Sequence, residues 1–263
     1  MDDVALLGAA RAALLESSVR LVRAAGGTVW RSGGLVAPLL RDRPVPARVC
    51  DAAAVDTAAV AALARAQRAF GRPAALLVPE DDDAVAAAAQ AAGLTAQPDD
   101  RVLCAAVTEL PAAGPVEGVA IRIRPAAEAA DPGIQRRHAA VRAETSGTTV
   151  ELEVRALPLR LRTGRTLLGA ERGHELVGVA AVERISTSYG VVALLDGVGV
   201  LPAWRGRGIG TALASTALCG LAGAGGDPAD VPVMAAAAVP PADTALYLQT
   251  GLRALGGFVR YAD

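Results

Sequence analysis

Apolar residues recur along this chain with two periods, and the change from one to the other sets out the elements. Residues 3–24 carry apolar side chains at three- and four-residue spacing and predict an amphipathic helix. The run GGTVWRSGGLVAPLL (26–40) predicts two short strands about a Gly turn. A strand near 47–51, a helix from Thr57 to Phe70, a strand at 74–80, an Ala-rich helix at 82–92 and a strand at 101–107 follow. VAIRIRP (119–125) then alternates as a strand, and helical segments cover 126–142 and 151–162. TLLGAE (166–171), ELVGVAAVERIS (175–186) and YGVVALLDGVGVLP (189–202) read as a meander of three strands. A helix over 208–222, a strand at 231–238, a helix at 241–250 and a strand at 256–262 complete the pattern.

The stretch LPAAGPVEG (110–118) interrupts this order with Pro and Gly, and divides the chain into domains at 1–110 and 119–263. A faint internal repeat supports the division. Residues 76–104 and the C-terminal run from Val233 both read strand, turn, helix, Gly-Leu, strand, with Gly93-Leu94 matching Gly251-Leu252. Ala89 stands in the first copy where Tyr247 stands in the second, and nothing like RGRGIG occurs in the first half.

Composition narrows the function classes. The 263 residues suffice for one large or two small packed domains, and 52% are apolar, which excludes a disordered chain. A formal net charge of −1 offers no attraction to nucleic acid or an anionic membrane, and 3% aromatic residues make no base-stacking platform. Every basic residue is Arg, so Schiff-base chemistry through lysine is excluded. Cys50, Cys104 and Cys219 suit neither a disulfide framework nor a metal knuckle, and His138 and His174 stand apart, so no metal is expected. The start MDDVALLGAA is acidic where a signal peptide is basic, and no apolar run nears the roughly 20 residues of a membrane span. A cytoplasmic setting is expected.

The chemistry concentrates in GVGVLPAWRGRGIGTALA (197–214), an apolar strand, a Gly-rich turn and a helix start. Such a turn aims backbone N–H groups at an anion. Gly206, Gly208 and Gly210 miss the dinucleotide spacing by one residue, and no acidic residue follows at the expected distance. A plain structural turn with solvated arginines is the other reading. Asp196, in ALLDGVGV, is either a base with a raised pKa in an apolar strand or a carboxylate tied to turn N–H groups. Glu183 is a second base candidate, and His174 reads as a hairpin turn.

The segment resembles motif A of the GNAT acetyltransferase superfamily, Gln/Arg-x-x-Gly-x-Gly/Ala, which stands here as Arg205-Gly206-Arg207-Gly208-Ile209-Gly210. The likeness runs from about 119 to 263 in the order of strands and helices, and the first half resembles, more weakly, the degenerate half of tandem members. It implies an α/β (α+β) fold: a mixed, mostly antiparallel sheet flanked by helices, preceded by a degenerate GNAT-like half. It implies acetyl-CoA as acyl donor and no metal. The amides of Gly206, Arg207, Gly208, Ile209, Gly210 and Thr211 would hold the pyrophosphate, with charge from Arg205 and Arg207. The strand before the loop splays in the family, so Val198, Gly199 and Val200 would pair with the pantetheine arm, Gly199 marking a bulge.

ADTALYLQTGL resembles motif B, which makes Tyr247 the proton donor to the departing thiolate and Asp196 the implied base. The Asn usual near the start of that helix is missing, and Asp243 or Thr244 would take its place. Residues 140–165 and 184–190 would form the acceptor pocket, where Glu151 and Glu153 bind a cationic amine or make a solvated helix face. The implied activity is acetyl-CoA-dependent N-acetyl transfer to a small molecule or peptide by direct attack of its amine. The alternatives are a non-catalytic acyl-CoA-binding protein, O-acylation, or decarboxylation of an acyl-CoA. The implied partners are acyl-CoA and the amine, without nucleic acid or membrane, and a homodimer is left open.

Overall fold

The computed structural model describes residues 1–40, 45–223 and 231–263. The first half runs α1 (Asp3–Ala24), β1 (Thr28–Ser32), β2 (Leu35–Leu39), β3 (Ala47–Val49), α2 (Thr57–Ala69), β4 (Ala75–Pro79), α3 (Asp83–Ala91) and β5 (Thr95–Ala106). Then come β6 (Ala120–Ile123), α4 (Ala126–Ala129), α5 (Pro132–Ser146), α6 (Val150–Arg162), β7 (Thr166–Arg172), β8 (Glu175–Thr187) and β9 (Gly190–Val200). The chain closes with α7 (Ile209–Gly223), β10 (Met234–Val239), α8 (Thr244–Leu248) and β11 (Arg253–Ala262).

Local chemistry explains the helix starts. Asp2, Asp56, Asp82, Asp131 and Thr149 cap α1, α2, α3, α5 and α6, each side chain accepting from a first-turn N–H. The single helix expected over 126–142 is two. Asp131 caps a new helix with Pro132 at its first position, and α5 then continues to Ser146. The helix expected over 241–250 contracts to α8, behind a 3-10 turn at Pro241–Asp243.

The eleven strands form one sheet in the order β1-β2-β3-β4-β11-β5-β10-β9-β8-β7-β6. β7 to β9 are the expected antiparallel meander, and β6 pairs antiparallel with β7 at the sheet's edge. β3–β4 and β9–β10 are parallel pairs, each joined by a crossover helix, α2 and α7. The centre is an exchange. β11 lies between β4 and β5, and β5 lies between β11 and β10. The two copies of the repeat, β4-α3-β5 and β10-α8-β11, thus each insert their last strand into the other. Gly93 and Gly251 turn the chain into those strands at φ +85° and +87°, where only glycine is unstrained. Pairing with each other lengthens both strands beyond expectation: β5 begins at Thr95 rather than 101, and β11 at Arg253 rather than 256.

Helices cover both faces of the centre. Ala235, Ala237 and Val239 of β10 join the core under α7, with Leu213, Leu218 and Leu103. Met234 and Ala236 join a second core under α1. Burial on both faces is why MAAAAV carries no polar alternation. The α1 core also takes Leu77, Val102 and Phe258 together with Ile185, Val192 and Leu194, so one N-terminal helix packs on strands of both halves.

Removing β5 would leave β10 and β11 with bare hydrogen-bonding edges. Residues 119–263 expressed alone are expected to aggregate or to lack a cooperative thermal transition that the whole chain shows. A monomeric fragment with a sharp melt would contradict the exchange.

Candidate functional site

β9 and β10 pair from Val192–Met234 to Leu195–Ala237 and then part. β9 runs on to Val200, and the gap opens into a cleft of ≈ 590 Å³ walled by Val198, Val200, Gly208, Thr145 and Tyr247 among others. The parting coincides with a bulge. It lies at Gly197 rather than at the expected Gly199: Gly197 has φ +61°, and the β8–β9 register shifts between Val179 and Ala181. Gly199 remains paired with Val179. A Cβ there would fall 2.3 Å from Thr145 Oγ1, so Gly199 admits the close approach of α5.

The ladder decides which main-chain groups reach the cleft. Leu201 N–H donates to Val177 O at 3.0 Å, so by alternation Gly199 also turns its groups toward β8, and Val200 turns away from it. The N–H of Val198 donates to the Tyr247 phenol oxygen. Val198 and Val200 therefore present main chain to the cleft, while Gly199 does not, because its groups face the neighbouring strand. Arg205 Nε donates to Val200 O at 3.1 Å and folds the loop back on the strand.

The loop then enters α7. Gly206 and Gly208 have φ +75° and +78°, with no protein atom within 4 Å of a Cβ built there, so conformation rather than space requires glycine. Gly210 differs: a Cβ there would lie 2.5 Å from Leu246 Cδ1, so it serves the approach of α8. Ala212 N–H donates to Gly208 O at 2.9 Å, and the amides before it precede the helical ladder. With the dipole of a helix behind them, they suit a diphosphate. Thr211 Oγ1 donates to Gln249 Oε1 at 3.1 Å and ties α7 to the end of α8. Arg207 stacks on the Trp204 indole at 4.6 Å, and Arg172, from the end of β7, stacks on the same ring at 4.9 Å. Among the described residues no carboxylate pairs with Arg172, Arg205 or Arg207, so positive charge gathers around the loop. Arg172, Thr145 and Gln249 gave no local signal in the sequence. Trp204 did, as one of two tryptophans and inside the motif run.

Tyr247 is buried on α8, and burial pushes its phenol up to about 12. Its oxygen accepts from Val198, which leaves its own proton to be given. Asp196 does not sit in apolar surroundings as expected. Its Oδ2 accepts from Arg165 Nη1 at 2.6 Å, and its Oδ1 lies 3.7 Å from Arg142 Nη2. Glu183 is fully buried outside the cleft, accepting from Ser17 Oγ of α1 at 2.8 Å and from Arg165 Nε at 3.1 Å. Arg165 precedes β7 and Arg142 lies on α5, so neither is visible from the pattern around position 196.

Asp243 borders the cleft, whereas the hydroxyl of Thr244 is buried without a hydrogen-bond partner among the described residues. His174 is exposed in the β7–β8 turn, and Glu151 is exposed on α6. Glu153 is not solvated: it is buried and accepts from Arg160 Nη1 at 2.8 Å and Thr148 Oγ1 at 3.3 Å. Hairpin 184–190 packs on α1 instead of facing α5 and α6, for a Cβ on Gly8 would lie 3.0 Å from the Tyr189 hydroxyl. Among the described residues no cluster of His, Cys, Asp or Glu could hold a metal, and no helix is long and apolar enough to cross a membrane.

The first half contains the same strand-helix-strand unit with its turn occupied. Gly34 O accepts from the Cys50 and Asp51 N–H groups at 2.8 and 3.2 Å. The Asp56 carboxylate accepts from Ala59 N–H at 2.7 Å and caps α2. A carboxylate of the chain thus stands where an anion would meet the helix.

The Acetyltransferase (GNAT) family model matches residues 136–224. No curated protein matches the chain. Among solved structures, a GCN5-related N-acetyltransferase from Kribbella flavida is similar, with 19% identity, TM-score 0.72 and coverage of 97% of this chain and 95% of that one. A GCN5-related N-acetyltransferase from Sphaerobacter thermophilus gives 17% identity, TM-score 0.61 and coverage of 88% and 76%. A tandem GNAT protein from the clavulanic acid biosynthesis pathway gives 18% identity, TM-score 0.61 and coverage of 89% and 80%. The chain has the GNAT fold, and its residues 136–224 match the model of the GNAT acetyltransferase family.

Proposed function

We propose that this chain transfers an acetyl group from acetyl-CoA to the amine of a small molecule or peptide, in the cleft between β9 and β10. One observation carries the reading: a single opening joins a helix N-terminus, the edge of β9 that no strand pairs and a buried phenol. The diphosphate would lie on the amides from Gly206 to Thr211, with Arg205, Arg207 and Arg172 supplying charge. The amide-bearing thiol arm would lie along Val198 and Val200, as an added strand does.

In this reaction the amine nitrogen attacks the thioester carbonyl, the C–N bond forms and the C–S bond breaks. The nitrogen gives up one proton, and the sulfur takes one from Tyr247. The dry surroundings that raise the phenol raise the proton affinity of the thiolate too, which keeps the transfer near balance. Asp196 sits beside the bulge, ion-paired with Arg165 at 2.6 Å. It is placed to accept the amine's hydrogen bond, while water takes up the amine's proton and returns one to the Tyr247 phenolate. The first half, its turn filled by Gly34 O and Asp56, is read as a degenerate unit that supports the second.

A second reading, an acyl-CoA-binding protein without turnover, draws on that same ion pairing, since Asp196 and Glu183, the two base candidates, are both held by Arg165. Release of free thiol from acetyl-CoA with a panel of amines separates the two.

Tyr247→Phe is expected to lower kcat about 100-fold and to leave acetyl-CoA affinity within a few-fold. An unchanged rate would assign the side chain to packing. Because the phenol stays protonated below about 12, kcat/KM should rise as the acceptor amine deprotonates and show no falling limb before about pH 10. An earlier fall would remove Tyr247 as donor. Gly208→Glu puts a side chain and a negative charge at a φ of +78°, and should abolish stabilisation by acetyl-CoA while the protein still melts cooperatively. Retained stabilisation would detach the loop from coenzyme binding.

A further inference from the structure

A second cavity, ≈ 20 Å³, touches the same bulge. Its walls include His138, Arg142, Glu153, Arg160, Asp196 and Gly197. Resting on the acyl-transfer reading above, we propose that this cavity receives a carboxylate carried by the acceptor, that Arg142 binds it, and that the acceptor is a small amino acid.

Arg142 is seated by the glycine it faces. A Cβ on Gly197 would lie 1.0 Å from Arg142 Nη1, so the guanidinium fills the place of the missing side chain. Yet it is held there by ion pairs and not by hydrogen bonds. Glu153 and Asp196 lie 3.8 and 3.7 Å away, beyond hydrogen-bonding distance. Each already accepts a short bond from another arginine, Glu153 from Arg160 at 2.8 Å and Asp196 from Arg165 at 2.6 Å. Arg142 Nε is buried and has no hydrogen-bond partner among the described residues. A buried donor left unmet is costly, and a ligand that meets it gains that energy.

The cavity has a second unmet group. His138 is 3% exposed, and its Nε2 has no partner among the described residues. Burial, then the charges of Arg124 and Arg137, push its pKa down to about 4, so a neutral imidazole faces the ligand. Shape selects the anion. The fork of a guanidinium matches a planar carboxylate, and a space of about one water admits a carboxylate end but not a tetrahedral phosphate. Position sets the length of the acceptor. Gly197 adjoins Val198, whose N–H bonds Tyr247, and neighbouring strand residues are about 3.3 Å apart. A carboxylate on Arg142 therefore brings the amine to the thioester only if a few bonds separate the two groups.

The test uses the whole chain and amine pairs that differ only in carboxylate against carboxamide: glycine and glycinamide, β-alanine and β-alaninamide. Thiol release is compared per unprotonated amine, and melting temperature is followed with each compound. The expected result is a preference of about tenfold or more for at least one carboxylate member. It should fall to near unity in Arg142→Gln and return in part in Arg142→Lys. Equal use of both members, a preference that survives Arg142→Gln, or no shift and no turnover with any carboxylate compound would overturn the proposal. If acetyl-CoA itself fails to stabilise the protein, the acyl-transfer reading fails instead, and the melting shifts by the carboxylates still decide the cavity.

Discussion

A sheet that lets go of one strand pair half-way along its length must satisfy the main-chain groups it releases. Here β9 leaves β10 after Leu195, and two of the released groups are met by side chains. Tyr247 takes the Val198 N–H, and Arg205 takes the Val200 carbonyl. Both side chains can be displaced or shared without breaking a ladder. The opening is therefore stable when empty and still receptive to a strand-like ligand. The bulge at Gly197, the crossover through α7 and the short α8 all serve that separation.

Electrostatics divides the region into two kinds of ground. Around the loop, Arg172, Arg205 and Arg207 stand without carboxylates among the described residues, spread over one indole and one carbonyl. Behind the bulge, arginines and carboxylates interlock, and α1 of the first half enters through Ser17. A chain without lysine builds both from planar guanidinium groups, which bond in fixed directions rather than as point charges. Direction is what leaves Arg142 ion-paired with two carboxylates but hydrogen-bonded to neither.

Much of the fold was legible because periodicity is local. α1, α6, the β7–β9 meander and the glycine turn into α7 all follow from residues within a few positions of one another. The exchange of β5 and β11 was not, since each strand takes its partners from the other end of the chain. The break between α4 and α5 lay in plain view at Asp131-Pro132, but the apolar spacing ran through it. In the site, Tyr247 and the turn glycines could be named from their motif runs. The surroundings of Asp196 could not, because Arg142 and Arg165 reach it from other elements. Gly197, Gly199 and Gly210 are glycines for three different neighbours, and only the assembled structure tells those reasons apart.

The strand 95–106 has a bearing on how such a chain can change over time. It belongs to the half whose own turn is stoppered, yet it forms a wall between β10 and β11, next to the opening in the other half. Losing the first half would strip β10 and β11 of the strand that pairs with both. Its sequence is then free to drift in its turn and helix starts but not along that ribbon, and a lesion there would reach the opening without altering any residue that lines it.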